Sequence, residues 1–463
     1  MVLVVAGACA EQSEPREWST RDLIVVEPYD PYGTAREYAL VDADGERRPL
    51  PIQEVESVSW ALDGDVLLAH TSLGAVWGWS GHEEPPWLLH EPSVIPGLTQ
   101  TLQVAPGGRY AALHNYTETV RGLGLTVLDV LERRPVGAPL ACTTGPGVVW
   151  VGEGPELLEE TDECGCCLMP TPFTVTHVRP GGEDDVLVAG VEVSPQIDID
   201  PRRSLATVSS EGRWQLYELG RDDDVLVLDE PDASEYRSWS PDGKHMAQVT
   251  DQQGVVRDRR GAVVWEGELA GFSSMTWSRA GDRFVVQRSC ADDLWRLELV
   301  DLTRSEPVEI VGCDDLRLVS WSPRGDALLM KVGCGDDDGA LERVDLGTNE
   351  RRRLIDATPC DTIGLGWSPD QTTYAAWEAC EAGGARVRFF DADGEAIAAG
   401  SCDAYLDAVW SPDSDMLALT QGRFGDEGAP PHLHLLRSDG KLRDLGEGLI
   451  PLGVHNDWRP GPP

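Results

Sequence analysis

An all-β chain built as a β-propeller of four-stranded blades is what this 463-residue sequence predicts, on three observations. A Trp-Ser-Pro-Asp-Gly turn, complete at Trp239, returns in variants along the chain. The stretches between its copies break into short β-rich segments. Gly (49) and Pro (32) are both abundant, which suits many tight reversals better than long helices.

The repeat sets the length of each unit. Aligned on Trp, the copies are Trp60-Ala-Leu-Asp-Gly, Trp239-Ser-Pro-Asp-Gly, Trp277-Ser-Arg-Ala-Gly and Trp321-Ser-Pro-Arg-Gly. Trp367-Ser-Pro-Asp-Gln, Trp410-Ser-Pro-Asp-Ser and a terminal Trp458-Arg-Pro-Gly continue the series. Weaker turns at Ala105-Pro-Gly-Gly, Trp150-Val-Gly-Glu-Gly and Ile199-Asp-Pro-Arg-Arg fill the gap, so each step is 38 to 49 residues. A period in that range, held along a whole chain, marks a repeat architecture.

One period shows what the unit is. DLRLVSW runs into the turn SPRGD, then ALLMKVG, then ALERVDLGTNE, then RRRLIDA: four strand-like segments separated by turn residues. Pro presets its own φ and Gly accepts positive φ, so the motif makes a tight reversal. The preceding Trp offers a broad flat surface for packing between neighbouring sheets. Asp-Ala-Asp-Gly at 42–45 and 391–394 has the opening of a calcium loop, but it lies between two strand patterns and reads as a hairpin turn. Four strands in about 45 residues are a propeller blade.

The Trp-Ser-Pro-Asp-Gly turn resembles the repeats of TolB-type propellers, relatives of the WD-repeat fold. The resemblance covers about residues 20 to 460 and is densest from 236 onward. It implies a periplasmic protein that binds other proteins. The motif specifies blade construction, and one propeller architecture hosts unrelated tasks.

Ten motif positions predict ten blades; discounting one or two of the weak turns between 105 and 199 gives nine or eight. The segment from Asp22 to Leu50 has outer strands without an inner one, and Val454 to Trp458 is an inner strand without outer ones. Together they are expected to form one blade, closing a single ring over residues 21–463 and covering edges that an open sheet would expose.

Ahead of that ring, residues 1–20 form a separate segment. Met1-Val-Leu-Val-Val-Ala-Gly-Ala-Cys9 is an apolar run ending in small residues and Cys, followed by the polar stretch Ala-Glu-Gln-Ser-Glu-Pro. It resembles the lipobox of bacterial lipoproteins, in which Cys9 would carry the lipid. The run is short and lacks a basic leading region, so it looks truncated. The expected location is the bacterial cell envelope, lipid-anchored and facing the periplasm or exterior, with secretion as the alternative. No other apolar run is long enough to span a bilayer.

Cysteine placement points to an oxidising compartment. Setting Cys9 aside leaves ten cysteines. Cys142, Cys313, Cys360 and Cys402 lie seven or eight residues before a motif position, and Cys164, Cys290, Cys334 and Cys380 lie 13 or 14 after one. Strand ends at those two places meet on one face of a propeller. Pairs Cys290–Cys313, Cys334–Cys360 and Cys380–Cys402 use all six in the C-terminal half. Pairs Cys313–Cys334 and Cys360–Cys380 across the inner hairpins would leave Cys290 and Cys402 over. Cys142 is available to pair with Cys164.

The remaining motifs are weaker. Cys164, Cys166 and Cys167 with His177 could hold a soft metal, although the spacing follows no standard zinc pattern and disulfides account better for the thiols. His432-Leu-His434 puts two imidazoles on one strand face, a pattern more usual for structural residues than for ligands. Asp222-Asp223-Asp224 and Asp336-Asp337-Asp338 read as solvated loops. Neither a Gly-x-Ser-x-Gly elbow nor a Walker-type phosphate loop occurs in the sequence.

The formal net charge is −42, which repels nucleic-acid phosphates and anionic headgroups, so neither is an expected partner. The sequence therefore predicts a non-enzymatic, monomeric envelope scaffold that binds a protein or peptide, touches the membrane only through Cys9 and needs no cofactor. The alternative is a propeller hydrolase or lyase acting on peptides or glycans, with carboxylates and imidazoles converging in a central channel.

Overall fold

The computed structural model describes residues 23–451 except 29–37, 43–46, 63–64, 81–84, 93–97, 118–123, 141–148, 153, 163–172, 180–183, 192–195, 211–212, 221–223, 232–235, 251, 270, 292–293, 305, 334–338, 359–365, 369, 381–383, 403–404, 411–413, 415, 422–431 and 448. The described residues form ten four-stranded sheets, each antiparallel throughout, as a chain of β-propeller blades. Two compact units contain five sheets each. Pro51–Leu269 holds blades 55–90, 98–140, 149–191, 196–231 and 236–268. Met1–Leu50 with Ala270–Pro463 holds blades 272–314, 316–358, 366–399 and 405–447 and the sheet of the chain ends.

That last sheet joins the chain ends as expected, but with a different strand. Leu23–Pro28, Ala39–Asp42 and Arg47–Pro49 are completed by Leu449–Pro451, which pairs antiparallel with Leu23–Pro28 through Val26↔Pro451, Glu27↔Ile450 and Pro28↔Leu449. The expected strand was Val454 to Trp458, which lies outside the described residues. The shift has a sequence reason: Leu-Ile-Pro supplies the nearest strand-forming residues after the fourth strand Leu442–Glu447.

The repeated turn is a small hydrogen-bonded device. In blade 236–268, Gly243 N donates to Ser240 O (2.8 Å) and Ser240 N to His245 O (2.8 Å), which closes the reversal. The buried Ser240 hydroxyl accepts from His245 N (2.9 Å) and donates to Asp242 Oδ1 (2.8 Å). Ser322 and Ser368 repeat this, accepting from Ala327 N and Thr373 N and donating to Asp326 and Asp370. Asp200 takes the serine's place in blade 196–231, where its carboxylate accepts from Ser204 N and Leu205 N. Each turn thus satisfies its own buried polar groups.

The fourth turn position is left-handed in seven copies, Gly108, Gly243, Gly281 and Gly325 but also Arg203, Gln371 and Ser414 at φ of 56°, 61° and 68°, while in the Trp150 copy the left-handed residue is Gly152. An L-residue pays for that conformation with strain that glycine avoids. Gln371→Gly is therefore expected to stabilise the protein by about 1 kcal/mol, read as a raised urea midpoint. A midpoint unchanged or lowered would show that this turn tolerates Gln without strain. Ser414 is a poorer test, because its hydroxyl accepts from Asp370 N at 2.8 Å.

That bond belongs to a series in which turns of consecutive blades touch. Leu62 N donates to Gly108 O, Gly152 N to Arg203 O and Arg202 Nε to Asp242 O. In the other unit Arg283 Nη2 donates to Gly325 O. A Cβ on Gly108 would lie 2.2 Å from Leu62 N, so only glycine permits that approach.

Between blades the core is built around the motif tryptophan. Trp321 packs in one cluster with Val285, Leu297 and Leu299 of the preceding blade, and its indole N–H donates to Thr276 O (2.9 Å). Trp410 packs on Trp377, Val387 and Phe389, and Trp239 on Leu205, Trp214 and Leu216. Each such side chain, removed from water, supplies roughly 3 kcal/mol or more of cohesion between sheets.

The fourth strand of each blade is an edge, and the structure treats these edges alike. In eight of the ten blades, the register between third and fourth strands skips one residue: Leu89, Leu187, Val227, Val264, Ile310, Leu354, Ile397 and Leu445. Those eight residues are all aliphatic; blade 149–191 also skips Gly190, and blades 272–314 and 316–358 have a second irregularity at the start of the third strand. A bulge there bends the edge strand and spoils its ladder as a template for another strand.

Candidate functional site

Among the described residues, the most deeply buried ionic group joins blades 149–191 and 196–231. His177 is the penultimate residue of the third strand Phe173–Val178, and Arg179 follows that strand. Asp224 precedes the fourth strand Val225–Pro231 of the next blade. His177 Nδ1 lies 2.9 Å from Asp224 Oδ2, and Arg179 Nη2 lies 2.9 Å from Asp224 Oδ1. The carboxylate also accepts from Gly220 N (3.1 Å), and Arg179 donates to Gly220 O (2.9 Å). On the far side of the imidazole, Nε2 faces Glu156 Oε2 at 3.5 Å. The His177 side chain is 0% exposed, Asp224 3% and Arg179 7%. The expectation that Asp222-Asp223-Asp224 is a solvated loop is corrected at Asp224, whose carboxylate is buried and pairs with His177 and Arg179.

The other expected ligands, Cys164, Cys166 and Cys167, lie outside the described residues, as do Cys9, Cys142, Cys334 and Cys360. Disulfides join Cys290 to Cys313 and Cys380 to Cys402. Both belong to the pairing that uses all six C-terminal cysteines, and both are incompatible with pairing across the inner hairpins. Each bond runs from the end of a second strand to the fourth strand or just past it, on one face of the blade. The Asp391-Ala-Asp-Gly stretch is a hairpin turn: Gly394 N donates to Asp391 O, and Asp393 N and Glu395 N to Asp391 Oδ1. Residues 43–45 of the other such stretch, 42–45, lie outside the described residues.

On first strands, which line the channel of a propeller, one carboxyl is perturbed. Asp198, exposed on Gln196–Ile199, is pushed above the usual carboxylate range by partial desolvation from its neighbours, while the Ile199 N–H and the charge of Arg237 pull it back. Among the described residues, the imidazoles that face a carboxylate lie elsewhere, on second and third strands. His177 and Asp224 are one case. His432 and His434 on the third strand His432–Arg437, with Asp444 on the fourth strand, are another. His70 on a second strand faces Glu56 on a first strand at 4.0 Å.

The solvent face of the blades is the remaining candidate. In three consecutive blades of Pro51–Leu269, fourth strands expose Val186, Val225, Leu226, Val263 and Val264, each 40–59% accessible. They lie beside or on the bulges, where the disturbed pleat turns neighbouring residues outward together. Sequence patterning did not isolate them, because Val-Leu-Val-Leu and Val-Val read as ordinary strand cores.

No family model matches the chain, and no curated protein matches it. Solved structures resemble it. A eukaryotic initiation factor shares 11% identity, with 92% of this chain and 96% of that chain covered and a TM-score of 0.54. A putative TolB from Agrobacterium tumefaciens shares 19%, covering 49% and 87%, with a TM-score of 0.29. A prolyl endopeptidase shares 12%, covering 73% and 54%, with a TM-score of 0.38. At these identities the likeness is one of fold alone.

Proposed function

We propose that this protein is a non-enzymatic scaffold of the bacterial cell envelope, a TolB-like propeller held at the membrane by lipid on Cys9, which binds a protein or peptide partner. The observation that carries the reading is the set of exposed aliphatic residues on fourth strands: Val186, Val225, Leu226, Val263 and Val264. Solvent-facing apolar groups of this kind suit contact with another protein. The bulged edges disfavour strand addition, so recognition would run through side chains. The −42 charge favours a basic partner and speeds its encounter. Disulfides at Cys290–Cys313 and Cys380–Cys402 support an oxidising compartment. The placement of His177, His432 and His434 on third strands favours this reading over catalysis in a channel.

The test is capture from envelope extract on immobilised full-length protein and on a Val225→Glu/Val263→Glu variant of equal thermal stability. A defined partner retained by the wild type and lost by the variant is the expected result; identical captured sets, or none, would sink the proposal. Expressed from a start that supplies a complete signal peptide, Cys9→Ser should move the protein from the membrane to the soluble fraction. A wild-type protein already soluble and unacylated overturns the anchor.

A further inference from the structure

We propose that His432, His434 and Asp444 form a binding site for one divalent transition metal of the zinc class. His432 and His434 lie two apart on one strand and so project from the same face. Their rings are nearly parallel, 13° apart with centroids at 6.0 Å. Asp444 Oδ1 lies 3.8 Å from His432 Nδ1 and 3.9 Å from His434 Nδ1. One donor atom from each residue falls within 4.8 Å of both others.

The bulge on this blade puts the carboxylate there. Leu433 pairs with Gly446, so an unbroken ladder would set His434 against Leu445. The register instead skips Leu445, which turns into the core, and pairs His434 with Asp444. The bulge thus re-aims a carboxylate at two imidazoles.

Two imidazoles and one carboxylate are a borderline donor set that suits Zn²⁺, Cu²⁺ or Ni²⁺ better than Ca²⁺ or Mg²⁺. Donors about 2.0–2.2 Å from a tetrahedral ion lie roughly 3.3 Å from one another, so loading requires about an ångström of side-chain rotation. Asp444 at 57% exposure and His432 at 33% have room to make it, while the buried His434 is the fixed point. Three protein donors leave a position for water or an external ligand. The protein's negative charge concentrates cations around it.

The test titrates metal-stripped full-length protein with Zn²⁺ by calorimetry and with Co²⁺ by absorbance. The expected result is one equivalent bound by the wild type, absent in His434→Gln and weakened about tenfold or more in Asp444→Asn. Its Co²⁺ spectrum should lack a sulfur-to-cobalt band, which separates it from any thiolate site at Cys164, Cys166 and Cys167. Affinity should fall as the pH is lowered from about 7.5 to about 5.5, because protons compete with the metal for its imidazole ligands. Equal stoichiometry and affinity in wild type and both variants, or only thiolate-bound metal, would overturn the site. So would a Kd weaker than about 1 mM, which marks an adventitious ion only.

Discussion

Asp224→Ala is expected to cost about 3–5 kcal/mol, a large share of the roughly 5–15 kcal/mol that holds a typical domain folded. The carboxylate faces His177, Arg179 and Gly220 at once and is almost wholly removed from water. Without it, Arg179 keeps its charge in a buried site beside the Gly220 carbonyl and the His177 ring, with its carboxylate counter-charge removed. The same substitution at Asp229 is the control. Its pair with Arg213 is 33–52% exposed, and such pairs contribute about 0–1 kcal/mol. Urea unfolding followed by tryptophan fluorescence reads both. An unfolding free energy for Asp224→Ala within about 1 kcal/mol of that for Asp229→Ala would show that the group is not a structural clamp between blades.

Nothing in the sequence near Asp224 marks it as the residue that meets His177. The partners are 47 positions apart and belong to different blades, so the pairing exists only once the blades stack. Asp444 was hidden for a related reason, since period-2 alternation predicts Leu445 opposite His434 and a one-residue bulge reverses that. Bulges carry no composition signal of their own: Leu445, Ile397 and Val264 look like ordinary strand residues.

The fold was more legible because its signal is local and repeated. Pro and Gly in Trp-Ser-Pro-Asp-Gly report a turn directly, and Trp321 and Trp410 lie between sheets as their size suggests. Propensity does not reveal the serine, whose hydroxyl ties the turn to the following strand in blade after blade. The weak turn at Ile199 is read more easily with that in hand. Asp200 there is a functional replacement for serine, which accepts the same N–H groups and also holds Arg259 of the next blade at 2.7 Å. The repeat is therefore the frame, and the functional candidates lie where blades depart from it: an aspartate facing a histidine, and residues displaced by bulges.

Removing both described disulfides is expected to give the second large effect. Cys290–Cys313 and Cys380–Cys402 close loops with separations of 23 and 22 residues, and cross-links of that span stabilise by about 3 kcal/mol each through the unfolded chain. The native blade contributes as well. The first bond steps over a third strand, where Trp295 pairs with Ser289 on one side and Asp314 on the other. Opening it frees the fourth strand, an edge of the blade held by hydrogen bonds on one side only. The two bonds lie in blades separated by blade 316–358, so their contributions should add. Cys290→Ser/Cys313→Ser and Cys380→Ser/Cys402→Ser should each lower Tm by roughly 5–10 °C, and all four changes together by roughly twice that. Peptide mapping without reductant should recover both linkages from the wild-type protein, with Cys334 joined to Cys360 as the sequence scheme has it. A fully reduced protein with all four thiols titrated, melting where the oxidised one does, would show that these bonds hold nothing the blades do not already hold.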